Sequence, residues 1–248
     1  MIYVFSGTSD GKKVVDKLVI KNKISCFNAT IYGSDLYEYH NNLKVYTERL
    51  DYTEIESLVK SEKPEMIIDC THPYAENISK TLIDISNNEE ILYLRYERPN
   101  DELDIKLYDS YNEIINVLNK SSGNILLTTG SNNLDKFTEL IENKRIFARV
   151  LPTEGVIEKC YKLGLKCKNI IAIQGPFSRN MNIAMYEDYN IKYIVTKSSG
   201  KAGGYKKKVE TALKLGIEVL VLKRPDIKYP NKYSNINELI EEINRREK

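Results

Sequence analysis

The sequence is poor in the residues that build metal sites and disulfide frameworks. It contains two histidines and four cysteines in 248 residues, and no two cysteines form a C-x-x-C pair. Neither histidine has a second His or Cys at the spacing of a metal site, so we expect no metal centre. The cysteines are predicted to be reduced thiols. They are Cys26, Cys70, Cys160 and Cys167.

The sequence also lacks a large net charge and any long apolar segment. Lys plus Arg number 37 against 35 for Asp plus Glu, which argues against a general nucleic-acid binder. No apolar run approaches the roughly 20 residues that cross a bilayer. A strand predicted from residue 2 leaves no room for a signal peptide. We therefore expect a cytoplasmic protein without nucleic-acid or membrane partners, and we expect a monomer.

Short apolar runs alternate with helical patterns along the whole chain. Strands such as "EMIID" and "EVLVLK" are too continuously apolar for a half-exposed antiparallel ribbon, so parallel sheets are predicted. The predicted strands are 2–5, 24–32, 43–46, 66–70, 91–95, 125–128, 146–151, 170–174, 192–196 and 217–222. The predicted helices are 10–20, 53–61, 75–86, 110–119, 132–142, 154–163, 181–188, 202–215 and 235–245.

A polar, turn-rich stretch, "NKSSGN" at 119–124, divides the strands into two equal sets. We predict an α/β protein of two Rossmann-like lobes, residues 1–121 and 122–248, with parallel sheets and a cleft between them. The halves echo each other faintly, since the last predicted strand of each runs into an Arg-Pro pair, Arg98-Pro99 and Arg224-Pro225. Chance similarity between two loops remains an alternative explanation of this echo.

The first loop of interest joins the first strand to the first helix. In open α/β sheets ligands bind beyond the carboxyl ends of the strands. If Gly11 is the last glycine of a G-x-G-x-x-G fingerprint, Ser6 and Thr8 replace the other two. Gly7 still allows close backbone approach, and Thr8 and Ser9 add hydroxyl donors at a helix N-terminus. The loop is predicted either as a phosphate site or as a plain strand-to-helix turn.

Three further loops follow predicted strands. In the second, Thr71, His72 and Pro73 lie at a strand end, where His72 could act as a general acid or only hold the loop. The third carries Thr129, Gly130 and Ser131 and is predicted either as a second polar contact to an anion or amide, or as a loop in which Ser131 or Asn132 only caps a helix. The fourth combines "QGPFSRN" at 174–180 with "VTKSSGKAGGYKKK" at 195–208, whose lysines form either an anion site or a solvated face.

Taken together, these loops resemble the precorrin-6A reductases of cobalamin biosynthesis. The matching stretches are "SGTSDGKK", "DCTHPYAENIS", "RYERP", "LLTTGSNNLDKF", "GPFS", "VTKSSGKAGG" and "VLKRP", which occur in the family's order. The resemblance implies two α/β lobes that bind a nicotinamide dinucleotide and a corrin precursor, and hydride transfer to one macrocycle double bond. In the family the first loop normally begins Gly-Gly-Thr, so we interpret "SGTS" as a nucleotide loop in which Ser6 replaces a glycine.

Residue roles are predicted on the same basis. Lys197 and His72 are the catalytic candidates, as proton donors alongside water. The predicted cofactor contacts are Gly7, Thr8, Ser9, Gly11, Ser34, Thr71, His72 and Pro73. The predicted contacts to the polycarboxylate substrate are Arg98, Thr129, Gly130, Ser131, Ser178, Lys197, Ser199, Gly200, Lys201, Gly203 and Gly204.

The stretch after the second predicted strand bears on the choice of cofactor. It carries Ser34 and Asp35 but no base for a 2′-phosphate, which favours NADH while leaving NADPH possible. Two other functions remain open on the sequence alone. A sugar-nucleotide glycosyltransferase and a non-enzymatic dinucleotide sensor could both use two such lobes.

Overall fold

Strands and helices alternate along the chain, and the strands form two six-stranded sheets in which every pairing is parallel. The computed structural model describes residues 1–30, 33–99, 103–200 and 204–246. The chain divides into two units, Met1–Pro99 with Pro225–Lys248 and Asn100–Arg224. The predicted α/β class with parallel sheets is confirmed.

The elements follow the predicted order closely. The first unit begins with β1 (Ile2–Phe5), α1 (Ser9–Leu18), β2 (Ile24–Phe27), β3 (Leu43–Tyr46), α2 (Tyr52–Glu62), β4 (Met66–Asp69), α3 (Glu76–Asn88) and β5 (Leu92–Tyr96). The second unit holds β6 (Leu107–Tyr108), α4 (Tyr111–Asn119), β7 (Asn124–Leu127), α5 (Leu134–Thr138), β8 (Ile146–Val150), α6 (Glu154–Lys162), β9 (Ile170–Ala172), α7 (Arg179–Asp188), β10 (Ile191–Lys197), α8 (Tyr205–Lys214) and β11 (Glu218–Leu222). The chain then returns to the first unit with β12 (Lys232–Tyr233) and α9 (Ile236–Arg246).

Both sheets have the same strand order. The first runs β12-β5-β4-β1-β2-β3 and the second β6-β11-β10-β7-β8-β9. If the five longer strands of each sheet are numbered along the chain, they lie in the order 3-2-1-4-5. A two-residue strand, β12 or β6, lies beside the fifth of them. In doubly wound sheets the order reverses beside the first strand, and ligands bind at the carboxyl ends there. These ends lie after β1 and β4 in one sheet, and after β7 and β10 in the other.

The units differ from the predicted ranges 1–121 and 122–248. The segment before residue 121 contributes β6 and α4 to the second unit, and β6 pairs with β11 through Leu107↔Val221. The end of the chain belongs to the first unit, where β12 pairs with β5 through Lys232↔Arg95. Each of these strands is only two residues long, so neither produces an apolar run that sequence analysis can detect.

The C-terminal helix completes one core of the first unit. Leu239 and Ile243 are fully buried on α9, and they pack in the same cluster as Val14 and Leu18 of α1. Helix α1 presents these side chains because its apolar residues recur at three- and four-residue spacing. In the described ranges, no helix combines the length and the apolar character needed to span a membrane.

Replacing Leu239 with alanine tests whether the chain end stabilises the first unit. Leu239 is fully buried, so Leu239→Ala should lower the free energy of unfolding by about 2–5 kcal/mol through lost burial and a residual cavity. Leu213→Ala is the matched control, because the Leu213 side chain on α8 is 49% exposed. Urea unfolding followed by circular dichroism measures both changes. Equal losses in the two variants would contradict the packing of α9 described above.

Candidate functional site

The loop after β1 is held in a tight conformation by small residues. Ser6 is buried, and its hydroxyl accepts a hydrogen bond from Tyr37 at 2.7 Å. A Cβ atom on Gly11 would lie 2.4 Å from Ser6 Oγ, so only glycine lets α1 approach the strand this closely. Gly7 has a φ of +127°, a conformation that favours glycine. Ser6 is therefore accommodated in this loop by its hydrogen bond with Tyr37 and by the absence of a side chain at Gly11.

Thr8 forms the N-cap of α1 and fixes the loop. Its hydroxyl accepts from the Gly11 N–H at 3.0 Å and donates to the Cys70 carbonyl at 3.2 Å, which ties the β1 loop to the β4 loop. This hydroxyl is thus engaged within the protein. The backbone N–H groups from Gly7 to Asp10 have no hydrogen-bond partner in the described part of the chain. They form a group of donors at a helix N-terminus, the arrangement that binds phosphate.

A fully buried ion pair lies beneath the β4 loop. Arg95 on β5 donates to Asp69 Oδ1 at 2.6 Å, and both side chains are 0% exposed. The same carboxylate accepts from the Thr71 N–H at 2.9 Å and from the Thr71 hydroxyl at 2.7 Å. Its second oxygen accepts from Ser79 at 2.6 Å and from Tyr93 at 2.8 Å. Asp69 therefore fixes the first residues of the loop that carries His72.

The ion pair extends to the surface through a second carboxylate. Arg95 donates to Glu97 at 3.1 Å, and Lys232 of β12 donates to Glu97 at 2.7 Å. Burial favours a lower pKa for Arg95, but Asp69, followed by Tyr229 and Glu97, raises it above the usual value. Burial favours a higher pKa for Glu97, yet Lys232 and Arg95 bring it below its usual value. The sequence did not predict this network, although Asp69, Arg95 and Glu97 lie within the stretches "DCTHPYAENIS" and "RYERP".

His72 is held by its own loop. Its Nδ1 accepts the Tyr74 N–H at 3.2 Å, and its carbonyl accepts the Ala75 N–H at 2.7 Å. The imidazole lies 5.7 Å from the Tyr74 ring. His72 therefore helps to hold its loop. Because its Nδ1 accepts a hydrogen bond from the Tyr74 N–H, the proton of the neutral imidazole is on Nε2. A catalytic role of His72 stays a prediction.

A pocket that is open to solvent lies at the carboxyl ends of β1, β4 and β5. It brings together the predicted residues Thr8, Thr71, Pro73 and Arg98. Arg98 donates to Asp10 at 2.8 Å, with both side chains 12% exposed, so a carboxylate of α1 already partners this guanidinium. The other lining residues are Asp10, Cys70, Tyr96 and Glu97.

Ser34 lies further from its strand than the sequence predicted. Strand β2 ends at Phe27, and residues 31–32 of the predicted strand lie outside the described residues. Asn28 is fully buried after the strand, where its side chain donates to the Gly33 carbonyl at 2.8 Å. Ser34 follows, exposed, in a 3₁₀ turn at Gly33–Leu36. Ser34 is absent from the lining of the pocket.

The remaining predicted residues lie in the second unit, after β7 and β10, except for Ser178, which follows β9. Thr129 is buried directly after β7, where Gly130 has a φ of +80° and Ser131 is half-buried. Lys197 is the last residue of β10, and burial lowers its pKa. The Arg224 side chain donates to the Ser198 carbonyl at 2.9 Å and so braces this loop. Ser199 and Gly200 follow, whereas Lys201 and Gly203 lie outside the described residues.

The two parts of the fourth predicted loop meet within the second unit. Gly204 adopts a left-handed conformation at the start of α8, and a Cβ there would lie 3.4 Å from Pro176. Ser178 caps α7, accepting the Met181 N–H at 3.1 Å. Lys206 and Lys207 are exposed, as a solvated face requires, but Lys208 is buried. Within the described ranges no group of three His, Cys, Asp or Glu side chains is placed to hold a metal ion.

Neutralising Asp69 tests the importance of the buried ion pair. Asp69→Asn leaves the Arg95 guanidinium buried without its counter-charge, so it should lower the free energy of unfolding by about 3–5 kcal/mol. Asp109→Asn is the control, because Asp109 pairs with Lys223 at 3.3 Å with its side chain 74% exposed, and little change is expected. Urea denaturation measures both. A small loss for Asp69→Asn would show that the loop does not depend on this carboxylate.

Comparison with known proteins agrees with the resemblance noted in the sequence. A family model described as "Precorrin-6x reductase CbiJ/CobK" matches residues 1–244. The chain is 35% identical to the cobalt-precorrin-6A reductase of Priestia megaterium, covering 97% of this chain and 96% of that protein. It is also 35% identical to that of Methanococcus maripaludis, with 96% and 97% covered. A solved structure, "CobK precorrin-6A reductase", has the same fold, with a TM-score of 0.77 at 16% identity and coverage of 98% and 96%. The chain therefore belongs to the precorrin-6x reductase family of oxidoreductases.

Proposed function

We propose that this protein is a cobalt-precorrin-6A reductase that uses a nicotinamide dinucleotide as hydride donor. The observation that carries the cofactor assignment is the row of unpartnered backbone N–H groups from Gly7 to Asp10, at the carboxyl end of the central strand β1. The relatives at 35% identity are named for the cobalt-containing substrate, which favours it over the metal-free form.

The first loop has the properties that a dinucleotide phosphate requires. Four N–H donors precede or begin α1, and the glycine at position 11 brings the helix close to the strand. The side chain of Ser9 is exposed beside them. When bound, a reduced nicotinamide supplies the hydride, and the protein supplies orientation and exclusion of water. The N–H groups of Gly7, Thr8, Ser9 and Asp10 would hold the phosphates in this arrangement, and Gly11, whose N–H is bound by Thr8, would contribute through the close approach of the helix.

The β4 loop would position the reacting groups. Thr71 is fixed by Asp69, and Pro73 is buried beside it, so this loop presents a rigid wall next to the phosphate loop. A proton must also reach the reduced macrocycle. His72, with its proton on Nε2, and Lys197, whose pKa burial lowers, are the two candidate donors beside water.

The carboxylates of the substrate would be bound mainly by the second unit. Loops after β7 and β10 offer Thr129, Gly130, Ser131, Ser199, Gly200 and Gly204 as polar contacts, and the loop after β9 offers Ser178. Lys197 provides a positive charge there. Arg98 would bind a carboxylate either after its ion pair with Asp10 breaks or while that pair is kept.

Ser9→Asp tests the phosphate loop without disturbing the fold. A carboxylate at the first position of α1 would occupy the N–H groups and repel a phosphate, so NADH binding should weaken at least about tenfold. Thermal stability should hold or rise, because negative charge is favourable at a helix N-terminus. Ser9→Asn, which adds the same bulk without charge, is the control. Fluorescence titration with NADH measures the affinity, and wild-type affinity in Ser9→Asp would exclude this loop as the phosphate site.

Ser34→Arg tests the preference for NADH. If Ser34 lies near the adenosine ribose, an arginine there can form a charge-assisted contact with the 2′-phosphate and shift the affinity ratio several-fold towards NADPH. Ser34→Gln has similar reach and no charge, so it should leave the ratio unchanged. Parallel titrations with NADH and NADPH give the ratio. An unaltered ratio in Ser34→Arg would show that this turn does not contact the ribose.

A further inference from the structure

A cluster of positive charges lies at one end of the second sheet. Leu127 of β7 pairs with Ala148 of β8 and with Val195 of β10. The next residue on each strand therefore lies level with the others, and adjacent in-register residues point to the same face of a parallel sheet. These residues are Thr128, Arg149 and Thr196. Helices α7 and α8 cover the face they point to, since Leu126 and Phe147, two residues earlier, pack in one core with Met185 and Val209.

Lys208 reaches this end of the sheet from the first turn of α8. Its side chain is buried, and its ammonium donates to Thr128 Oγ1 at 3.1 Å. Thr128 in turn donates to the Val195 carbonyl at 2.9 Å. An ammonium carries three donors. No other hydrogen bond and no carboxylate engages the Lys208 ammonium in the part of the chain that the structure describes.

Arg149 is similarly placed beside it. Its guanidinium donates to the Asn182 side chain at 3.0 Å and lies 4.5 Å from the centre of the Phe177 ring. Tyr186 lies between the two cations, since its hydroxyl oxygen is 3.3 Å from Asn182 Oδ1 and 3.2 Å from the Lys208 carbonyl and can donate its one proton to either. Among the described residues, no carboxylate forms an ion pair with Arg149.

The electrostatics of this cluster are unfavourable in the protein alone. Burial, then Arg149 and Lys197, lower the pKa of Lys208 to about 7. Burial also lowers the pKa of Arg149 and that of Lys197. Buried cations are normally paired, so Lys208 and Arg149, which have no carboxylate partner among the described residues, mark a candidate functional site. Arg149 and Lys197 are partly exposed, so a ligand can reach the cluster from solvent.

We propose that Lys208 and Arg149 form a buried anion subsite in the second unit, which binds a carboxylate side chain of the substrate, with Lys197 on its exposed side. The identity of the anion as a substrate carboxylate rests on the proposed function, but the existence of the subsite does not. Its neighbours Lys206 and Lys207 belong to the same basic run and are exposed on the same helix. They take no part in the subsite.

Lys208→Met tests the subsite, because it removes the charge and keeps the length of the side chain. Lys207→Met, one residue earlier and exposed, is the matched control. At pH 6.5, where Lys208 is charged, acetate at constant ionic strength should raise the Tm of the wild type and of Lys207→Met by mass action. It should not raise the Tm of Lys208→Met. Arg149→Met examines the same subsite from β8 and should also lose the response.

A pH series adds an independent readout. The pKa of Lys208 is lowered on folding, so the unfolded chain holds its proton up to about pH 10 whereas the folded chain releases it above about pH 7. The buried charge therefore destabilises the wild type fully below pH 7, and the effect declines as the pH rises. Lys208→Met should be more stable than the wild type at pH 6.5, and its Tm advantage should shrink by pH 9. A constant difference would contradict a buried ammonium at this position.

Kinetics identify the source of the anion. With cobalt-precorrin-6A and NADH, Lys208→Met should raise KM for the corrin substrate at least about tenfold while the Kd for NADH stays unchanged. A raised Kd for NADH with unchanged KM would overturn the carboxylate assignment in favour of a cofactor phosphate. An acetate response and a KM that both survive in Lys208→Met would overturn the subsite. If the wild type shows no turnover, the proposed function fails, whereas loss of the acetate response in Lys208→Met still supports the subsite.

Discussion

The buried pair of Arg95 and Asp69 is the interaction on which the first unit depends. An arginine with no exposed surface requires a counter-charge, and Asp69 provides it at the end of β4. Because the same carboxylate also accepts three hydroxyl donors and one backbone N–H, it fixes the loop that carries Thr71, His72 and Pro73. That loop is tied to the loop after β1 through the hydrogen bond from the Thr8 hydroxyl to the Cys70 carbonyl. The geometry of the candidate cofactor site thus follows from one satisfied charge pair.

The second unit has the same strand order and the opposite electrostatics. In the first unit the buried cation is matched by Asp69 and Glu97, so its charges are complete without a ligand. In the second unit Lys208 and Arg149 lie at the corresponding carboxyl end of the sheet, and no carboxylate in the described ranges pairs with either of them. The two units therefore differ in which groups lack a partner among the described residues. Backbone N–H groups are unsatisfied in the first unit and side-chain cations in the second, which suits a phosphate and a carboxylate respectively.

The sequence predicted the long strands well, because continuous apolar runs of four or more residues are unambiguous in a parallel sheet. It also located the loops after β1, β4, β7 and β10. It could not predict the Arg95–Asp69 pair, since the two residues are 26 positions apart and only the register of β4 with β5 brings them together. The burial of Lys208 could not be predicted from the sequence either. Its neighbours in the basic run are solvated, and only the phase of α8, set by its packing, turns this one lysine inward.

The end of the chain explains why the predicted boundary and the observed units differ. The charge network of the first unit is incomplete until residues 229–233 are in place, because Lys232 neutralises Glu97 and the Tyr229 ring lies 5.0 Å from the Arg95 guanidinium. β12 contributes only two paired residues, so its backbone hydrogen bonds alone stabilise the return of the chain to the first unit only weakly. The return also buries Leu239 and Ile243 against α1, the helix that follows the candidate phosphate loop at residues 6–11. The last segment of the chain therefore supports the candidate cofactor site from two sides, through the charges beneath the β4 loop and through the apolar face of α1.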